Sequence, residues 1–445
     1  MGSDWQQYQL KEVAEIFDGP HATPAKTDSG PIFLGISNLA NGRLNLSDAE
    51  YLSEEDFVRW TRRVTPQAGD IVFSYETRLG EAAIIPAGLR CCLGRRMGLL
   101  RPRLGQVDAR FLLYAYLGPE FQQTLRSRTV PGSTVDRIPL IDMPEFPISV
   151  PTDIDEQRMI AKVLGTLDDK IELNRRMNET LETMAHAIFK SWFVDFDPVR
   201  AKAEGSVPSV PADCMDLFID SFQDTELGRI PLGWRVGSID EVCRRVAMGP
   251  FGSDIKTSNF IEVGVPVIRG GNLTEGFVDE SFVFVSEQKA DELRNANAFP
   301  GDIVITHRGT LGQVGLIPNR TRFPRYVVSQ SQMLLSIDES VATPHFIFEY
   351  LCSPIGQHQL LANTSQTGVP AIARPVTSVK AIRLVLPPLR ILRAFEELVC
   401  PLINHLVANR AEITTLVSLR DTLLPKLVCG ELRVPSSVRE EVPTP

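Results

Sequence analysis

Apolar residues along the chain fall on two kinds of period. From Ile160, the positions Leu164, Leu167, Ile171, Asn174, Asn178, Leu181, Ala185, Ile188 and Trp192 follow steps of three and four without a break. That spacing is the heptad seam of a single long helix. A helix over 155–194 runs on the order of 60 Å at about 1.5 Å per residue, and Asp197-Pro198 should end it. Asn174 and Asn178 on the seam cost stability and fix register or orientation. A second, less regular seam passes through Phe395, Leu398, Leu402, Leu406, Asn409, Ile413, Leu416, Leu423 and Leu427, with Pro401 expected to kink or restart it. Neither helix has a further stripe long enough to be buried alone. The simplest partner for each is the other, in an antiparallel coiled coil.

Ahead of each seam the pattern is different. Short β-branched or aromatic runs such as Asp70-Ile71-Val72-Phe73 and Pro266-Val267-Ile268 are bounded by Gly, Pro and Asp and read as strands. Amphipathic stretches beginning at Ala109 and Thr343 read as helices. These stretches are also similar to one another. Leu34-Gly35-Ile36-Ser37-Asn38-Leu39 lies beside Ile268-Arg269-Gly270-Gly271-Asn272-Leu273 at offset 234, and Gly69-Asp70-Ile71-Val72 matches Gly301-Asp302-Ile303-Val304 at offset 232. Later, Val150-Pro151 meets Leu386-Pro387 and Lys190 meets Lys426 at offset 236. The chain is therefore a long internal repeat, with an expected α+β fold of two tandem mixed α/β modules separated by two long helices. The boundaries read as module 1–152, helical spacer 153–199, linker 200–232, module 233–387, helical spacer 388–433 and tail 434–445.

Composition narrows the function. With 445 residues, 43% hydrophobic and 23% charged, the chain has enough apolar content for more than one core. No apolar run approaches the roughly 18 residues of a membrane span, and the seven cysteines show no Cys-x-x-Cys spacing. A cytoplasmic protein without metal is expected, and the six histidines show no i, i+4 pairing. The net charge of −9 argues at first against a nucleic-acid partner. However, residues 5–150 hold 17 acids against 16 bases and residues 233–387 hold 14 against 14, so both modules are near neutral. Arginine outnumbers lysine 36 to 10, which suits bidentate reading of guanine or phosphate.

Catalytic signatures are missing. There is no phosphate-binding Gly-x-x-x-x-Gly-Lys loop, no Gly-x-Ser-x-Gly elbow, and no Asp/Asn-Pro-Pro-Tyr/Phe loop of an amino-methyltransferase. Acid-x-Lys triplets at Asp168, Asp254 and Glu287 lack the Pro-Asp partner of a nuclease and read as solvated charge. No cofactor is expected, and the chain is read as non-catalytic.

Particular strings resemble a known family. Asp155-Glu156-Gln157-Arg158, Leu167-Asp168-Asp169-Lys170-Ile171-Glu172-Leu173-Asn174 and Ile188-Phe189-Lys190-Ser191-Trp192-Phe193 resemble the specificity subunit of type I restriction-modification systems. Glu226-Leu227-Gly228-Arg229-Ile230-Pro231-Leu232-Gly233-Trp234, Pro425-Lys426-Leu427 and Gly430-Glu431-Leu432 extend the likeness. After Pro388 the chain has Arg390-Ile391-Leu392-Arg393 where the family has a Glu-Gln pair. The resemblance implies two target recognition domains, each reading one half of a split double-stranded DNA sequence, with the helical spacers setting the gap. It also implies two methyltransferase (modification) subunits and restriction/translocase subunits as partners. A protein-interaction scaffold with two similar modules is the alternative.

Candidate DNA-contacting side chains follow from chemistry, on loops just after inferred strands. These are Tyr75, Thr77 and Arg78 in the first module and His307, Arg308 and Thr310 in the second. Asn38, Arg269 and Asn272 lie on the other repeated loop, Ser329, Gln330 and Gln332 form a polar cluster, and Arg95 and Arg96 are candidates for backbone contact.

Overall fold

The computed structural model describes residues 5–132, 135–207, 210–365 and 368–434. They form two compact units, one holding the chain up to Leu173 and from Glu412 onward, the other Asn174–Ala411.

In the first unit, a four-stranded antiparallel sheet runs in the spatial order Ala14–Asp18, Met97–Pro102, Ile71–Ser74, Ala82–Ile84. A second, three-stranded sheet places Thr27–Leu34 between Glu50–Tyr51 and Cys91–Leu93, the last pairing being parallel. Strand Ile71–Ser74 is buried throughout, because it has a core on each side. Ile71 and Phe73 point into one apolar cluster with helix Ala109–Leu117, and Val72 points into another with Leu34 and Cys91. Side chains alternate across a strand, so burial on both faces demands the unbroken apolar run seen in the sequence.

The second unit repeats this plan. Cys243–Met248, Gln332–Ile337, Ile303–Thr306 and Val314–Leu316 stand in the same order. Val265–Ile268 pairs in parallel with Tyr326–Val328. Ile303 and Ile305 face one cluster and Val304 the other. Small devices are duplicated too. Gln122 Nε2 donates to the carbonyls of Gly80 (3.0 Å) and Tyr116 (3.0 Å), and Gln357 Nε2 donates to those of Gly312 (3.1 Å) and Leu351 (2.7 Å). Each glutamine thereby ties the loop after a central strand to the helix hairpin below it.

Two forty-residue helices, Ile154–Phe193 and Leu389–Val428, each contribute a segment to both units. Within the first unit, Arg420 pairs with Asp168 (2.9 Å) and Lys170 with Glu412 (3.4 Å). Within the second, Asn409 Nδ2 donates to Asn178 Oδ1 (3.0 Å), and Phe189 stacks edge-on against Phe395 at 6.2 Å. Partner numbers rise on one helix as they fall on the other, so the segments run antiparallel in each unit.

Three expectations need correction. The seam is wider than the heptad pattern implies: Leu167 and Ile188 are only half-buried, while Asp168 and Phe189 beside them are buried. The second helix continues through Pro401, which sits on an exposed position. Flanking turns anchored by Val399 and Leu406 offset the one hydrogen bond a proline removes. Finally, the expected linker is largely packed. Cys214, Phe218 and Ile230 are buried, Trp192 lies 5.0 Å from Phe218, and Phe222–Thr225 pairs with Gly228–Pro231. Its aromatic and aliphatic residues have an apolar core to join, which Pro and Ser content obscured. No helix among the described residues is long and apolar enough to cross a membrane.

Candidate nucleic-acid interface

In each unit several loops meet at one end of the four-stranded sheet. In the first, Tyr75 N donates to Arg96 O (3.3 Å), Arg78 Nη1 reaches Ile36 O (3.4 Å), and Ile138 N donates to Tyr75 O (2.8 Å). The loops following Leu34, Ser74 and Leu93 are thus brought together with the segment before Ile138. In the second, Ser329 N donates to Ile268 O (2.9 Å), His307 N to Ser331 O (3.0 Å), and Ile372 N to His307 O (2.9 Å). The same three loop positions converge there, joined by the chain around Pro370.

The candidate side chains divide into two groups. Asn38 is buried; its Oδ1 accepts from Gly35 N (2.8 Å) and its Nδ2 donates to Asn45 O (2.9 Å). Asn272 does the same work, accepting from Arg269 N (3.0 Å) and donating to Glu280 O (2.8 Å). Both ends of each amide are thus engaged in closing its own turn. Tyr75 is buried, and burial together with Asp18 pushes its hydroxyl well above the ordinary tyrosine range. Gln332 is buried on its strand, where its Nε2 donates to Thr306 Oγ1 (3.2 Å) and its Oε1 accepts from Ser329 Oγ. His307 is buried, and burial pushes its imidazole below the usual histidine range, disfavouring the charged form.

The remaining candidates line the surface. Thr77, Arg78, Arg95, Arg269, Arg308, Thr310 and Gln330 are exposed, and Arg96 and Ser329 are half-buried. Arg96 Nε lies 2.8 Å from Glu76 Oε2 without hydrogen-bond alignment, and its Nη1 reaches Thr77 Oγ1 (3.4 Å). Thr77 and Arg96 both have left-handed backbone, φ +68° and +71°, a strained choice for side-chain-bearing residues that clusters at functional loops. Sequence pattern alone does not single out Arg137, which is exposed and whose backbone bridges to both Glu76 and Val130.

A further repeat becomes visible only with the loops in place. Gly19-Pro20-His21-Ala22-Thr23-Pro24-Ala25-Lys26-Thr27 matches Gly249-Pro250-Phe251-Gly252-Ser253-Asp254-Ile255-Lys256-Thr257 at offset 230. Both loops border the convergent ends, since Gly19 N donates to Met97 O (2.9 Å) and Gly249 N to Gln332 O (2.8 Å).

Residues 2–183 match the family model described as "Type I restriction modification DNA specificity domain". Over nearly its whole length the chain is similar to type I restriction enzyme specificity subunits. Among these relatives, the MjaIX specificity subunit of Methanocaldococcus jannaschii is 26% identical over 436 residues, covering 97% of this chain and 94% of the relative. The HindI specificity subunit of Haemophilus influenzae is 22% identical over 481 residues, covering 97% of this chain and 100% of the relative. The fold is similar to that of a crystallised type I restriction-modification S subunit from M. genitalium, with a TM-score of 0.61 at 15% identity and 96% of each chain covered.

Proposed function

We propose that this chain selects DNA for a type I restriction-modification complex, each unit reading one half of a bipartite double-stranded target. The observation that carries the reading is the duplication itself. Two frameworks of the same topology present different side chains at matched loop positions: Arg78 against Thr310, Glu76 against Arg308, and Arg95 against Gln330. Exposed arginines on such loops donate in pairs to guanine edges or to phosphates, whereas glutamine and threonine suit adenine or mixed edges. Two near-neutral modules give modest affinity on their own, so phosphate contacts from methyltransferase subunits add to it.

The long helices set the gap between half-sites and receive the modification subunits, and restriction subunits join the same complex. This chain's residues bind and orient the DNA; methylation and cleavage chemistry belongs to the partners. The test is co-expression with its methyltransferase partner in a host lacking other adenine methylation, followed by genome-wide mapping of methyladenine. A split sequence with a fixed unspecified gap is expected. Absence of any methylated sequence despite a stable complex overturns the reading.

A further inference from the structure

The Gly-Pro loops beginning at Gly19 and Gly249 are built to hold one side chain outward beside the convergent loops. An ideal Cβ on Gly19 would lie 2.6 Å from Met97 O and 3.0 Å from Gly94 O, and one on Gly249 would lie 1.9 Å from Ser329 O and 3.0 Å from Gln332 O. Only glycine permits so close a backbone approach. In each unit the contact is made to the loop that carries a surface candidate, Arg95 or Gln330. A proline follows, stiffening the turn, and the far side of the loop is pinned by a buried residue, Pro24 in one unit and Ile255 in the other.

Between these anchors the two units differ. His21 is exposed and its Nε2 lies 3.0 Å from Asp18 Oδ2. Phe251 is 81% exposed. A phenylalanine forgoes about 1.5–3 kcal/mol by remaining in water instead of a core, yet this one is held outward on an anchored turn. Its neighbour Gly252 is close to Gln330, whose Oε1 lies 2.5 Å from where a Cβ would stand. The local charges are mixed, with Asp254 and Lys256 both exposed on the same loop, so phosphate attraction does not explain the tip.

We infer that the Gly-Pro loops are a matched pair of base-contacting loops, with Phe251 packing its ring on bases of one half-site and His21 reading a base edge of the other. This rests on the DNA-selecting role proposed above. An apolar wedge of this kind partly unstacks a base step, and contact with thymine methyl groups adds preference. A histidine steadied by a carboxylate instead offers a hydrogen-bonding edge.

The experiment uses the full chain in complex with its methyltransferase partner, carrying Phe251→Ala, Phe251→Leu or His21→Ala. Methyladenine mapping is combined with 2-aminopurine placed at successive positions of each half-site. Both sites are exposed, so melting temperatures should match the parent chain. Phe251→Ala is expected to weaken DNA binding roughly tenfold or more, to relax one half-site only, and to abolish a 2-aminopurine signal there that Phe251→Leu partly retains. His21→Ala should relax the opposite half. Unchanged affinity and unchanged half-sites in Phe251→Ala, or equal loosening of both halves, overturns the inference while leaving the general role intact. A parent complex that methylates no bipartite sequence overturns both.

Discussion

Tyr114 donates its hydroxyl to Asp168 Oδ2 across 2.6 Å, and Arg420 Nη1 reaches the other carboxylate oxygen at 2.9 Å. A tyrosine on a helix of the globular part thereby fastens both long helical segments of the first unit through one buried acid. Burial and the adjacent carboxylate hold the Tyr114 hydroxyl protonated far above neutral pH, so it acts as donor. Asp168→Ala leaves that hydroxyl and the arginine without their shared acceptor and should cost about 2 kcal/mol of stability. Tyr114→Phe should cost about 1 kcal/mol. Chemical denaturation followed by circular dichroism measures both, and coincident midpoints for parent and Asp168→Ala would refute the fastening role.

The turn asparagines and the surface arginines should behave in opposite ways. Asn38→Ala and Asn272→Ala remove both bonds that close their turns, with an expected loss of about 1–2 kcal/mol and little change in the sequence recognised by protein that remains folded. Arg95→Ala and Arg308→Ala should leave melting unchanged and weaken DNA binding. For each phosphate that a substitution leaves unneutralised, the slope of log affinity against log salt should become shallower by about 1. A titration at several salt concentrations, paired with melting curves, separates the two classes.

His186 bonds the buried carboxylate of Glu349 in the second unit. That bond lifts the imidazole above the ordinary histidine value, against an opposing contribution from burial. Because the folded pKa exceeds the unfolded one, the stabilisation is full below the unfolded value of 6.5 and is lost as pH rises through the folded value. His186→Gln should therefore flatten the decline in stability above pH 6.5. Unfolding midpoints at half-unit pH steps test this; parallel curves for the two proteins would count against it.

Removing one heptad from each long helix shortens it by about 10 Å, close to three base pairs of duplex at about 3.4 Å each. The methylated sequence of such a deletion should keep both half-sites and lose about three base pairs from the gap. An unaltered gap would sink the ruler.

Much of this architecture is legible in the sequence because burial on two faces leaves a strong trace. Ile71-Val72-Phe73 and Ile303-Val304-Ile305 have to be apolar throughout, which makes the repeat visible. The helix seam reads one residue too narrow, because Asp168 passes for solvated charge; Tyr114 and Arg420, far away in sequence, are what allow its burial. Asn38 and Asn272 mislead for a related reason. A polar residue repeated in two modules can serve a shared turn as readily as a shared ligand, and only the hydrogen bonds decide. The Gly-Pro repeat is hidden because its offset of 230 differs from the 234 of the next matched loop.

The left-handed turn at Thr77 has its counterpart at Gly309, with φ +95°. Glycine adopts that conformation freely, and threonine does so at a conformational cost. The shape of the turn therefore survives whichever residue occupies it, held by Gln122 or Gln357 from beneath. The chemistry displayed there can thus be exchanged without rebuilding the loop.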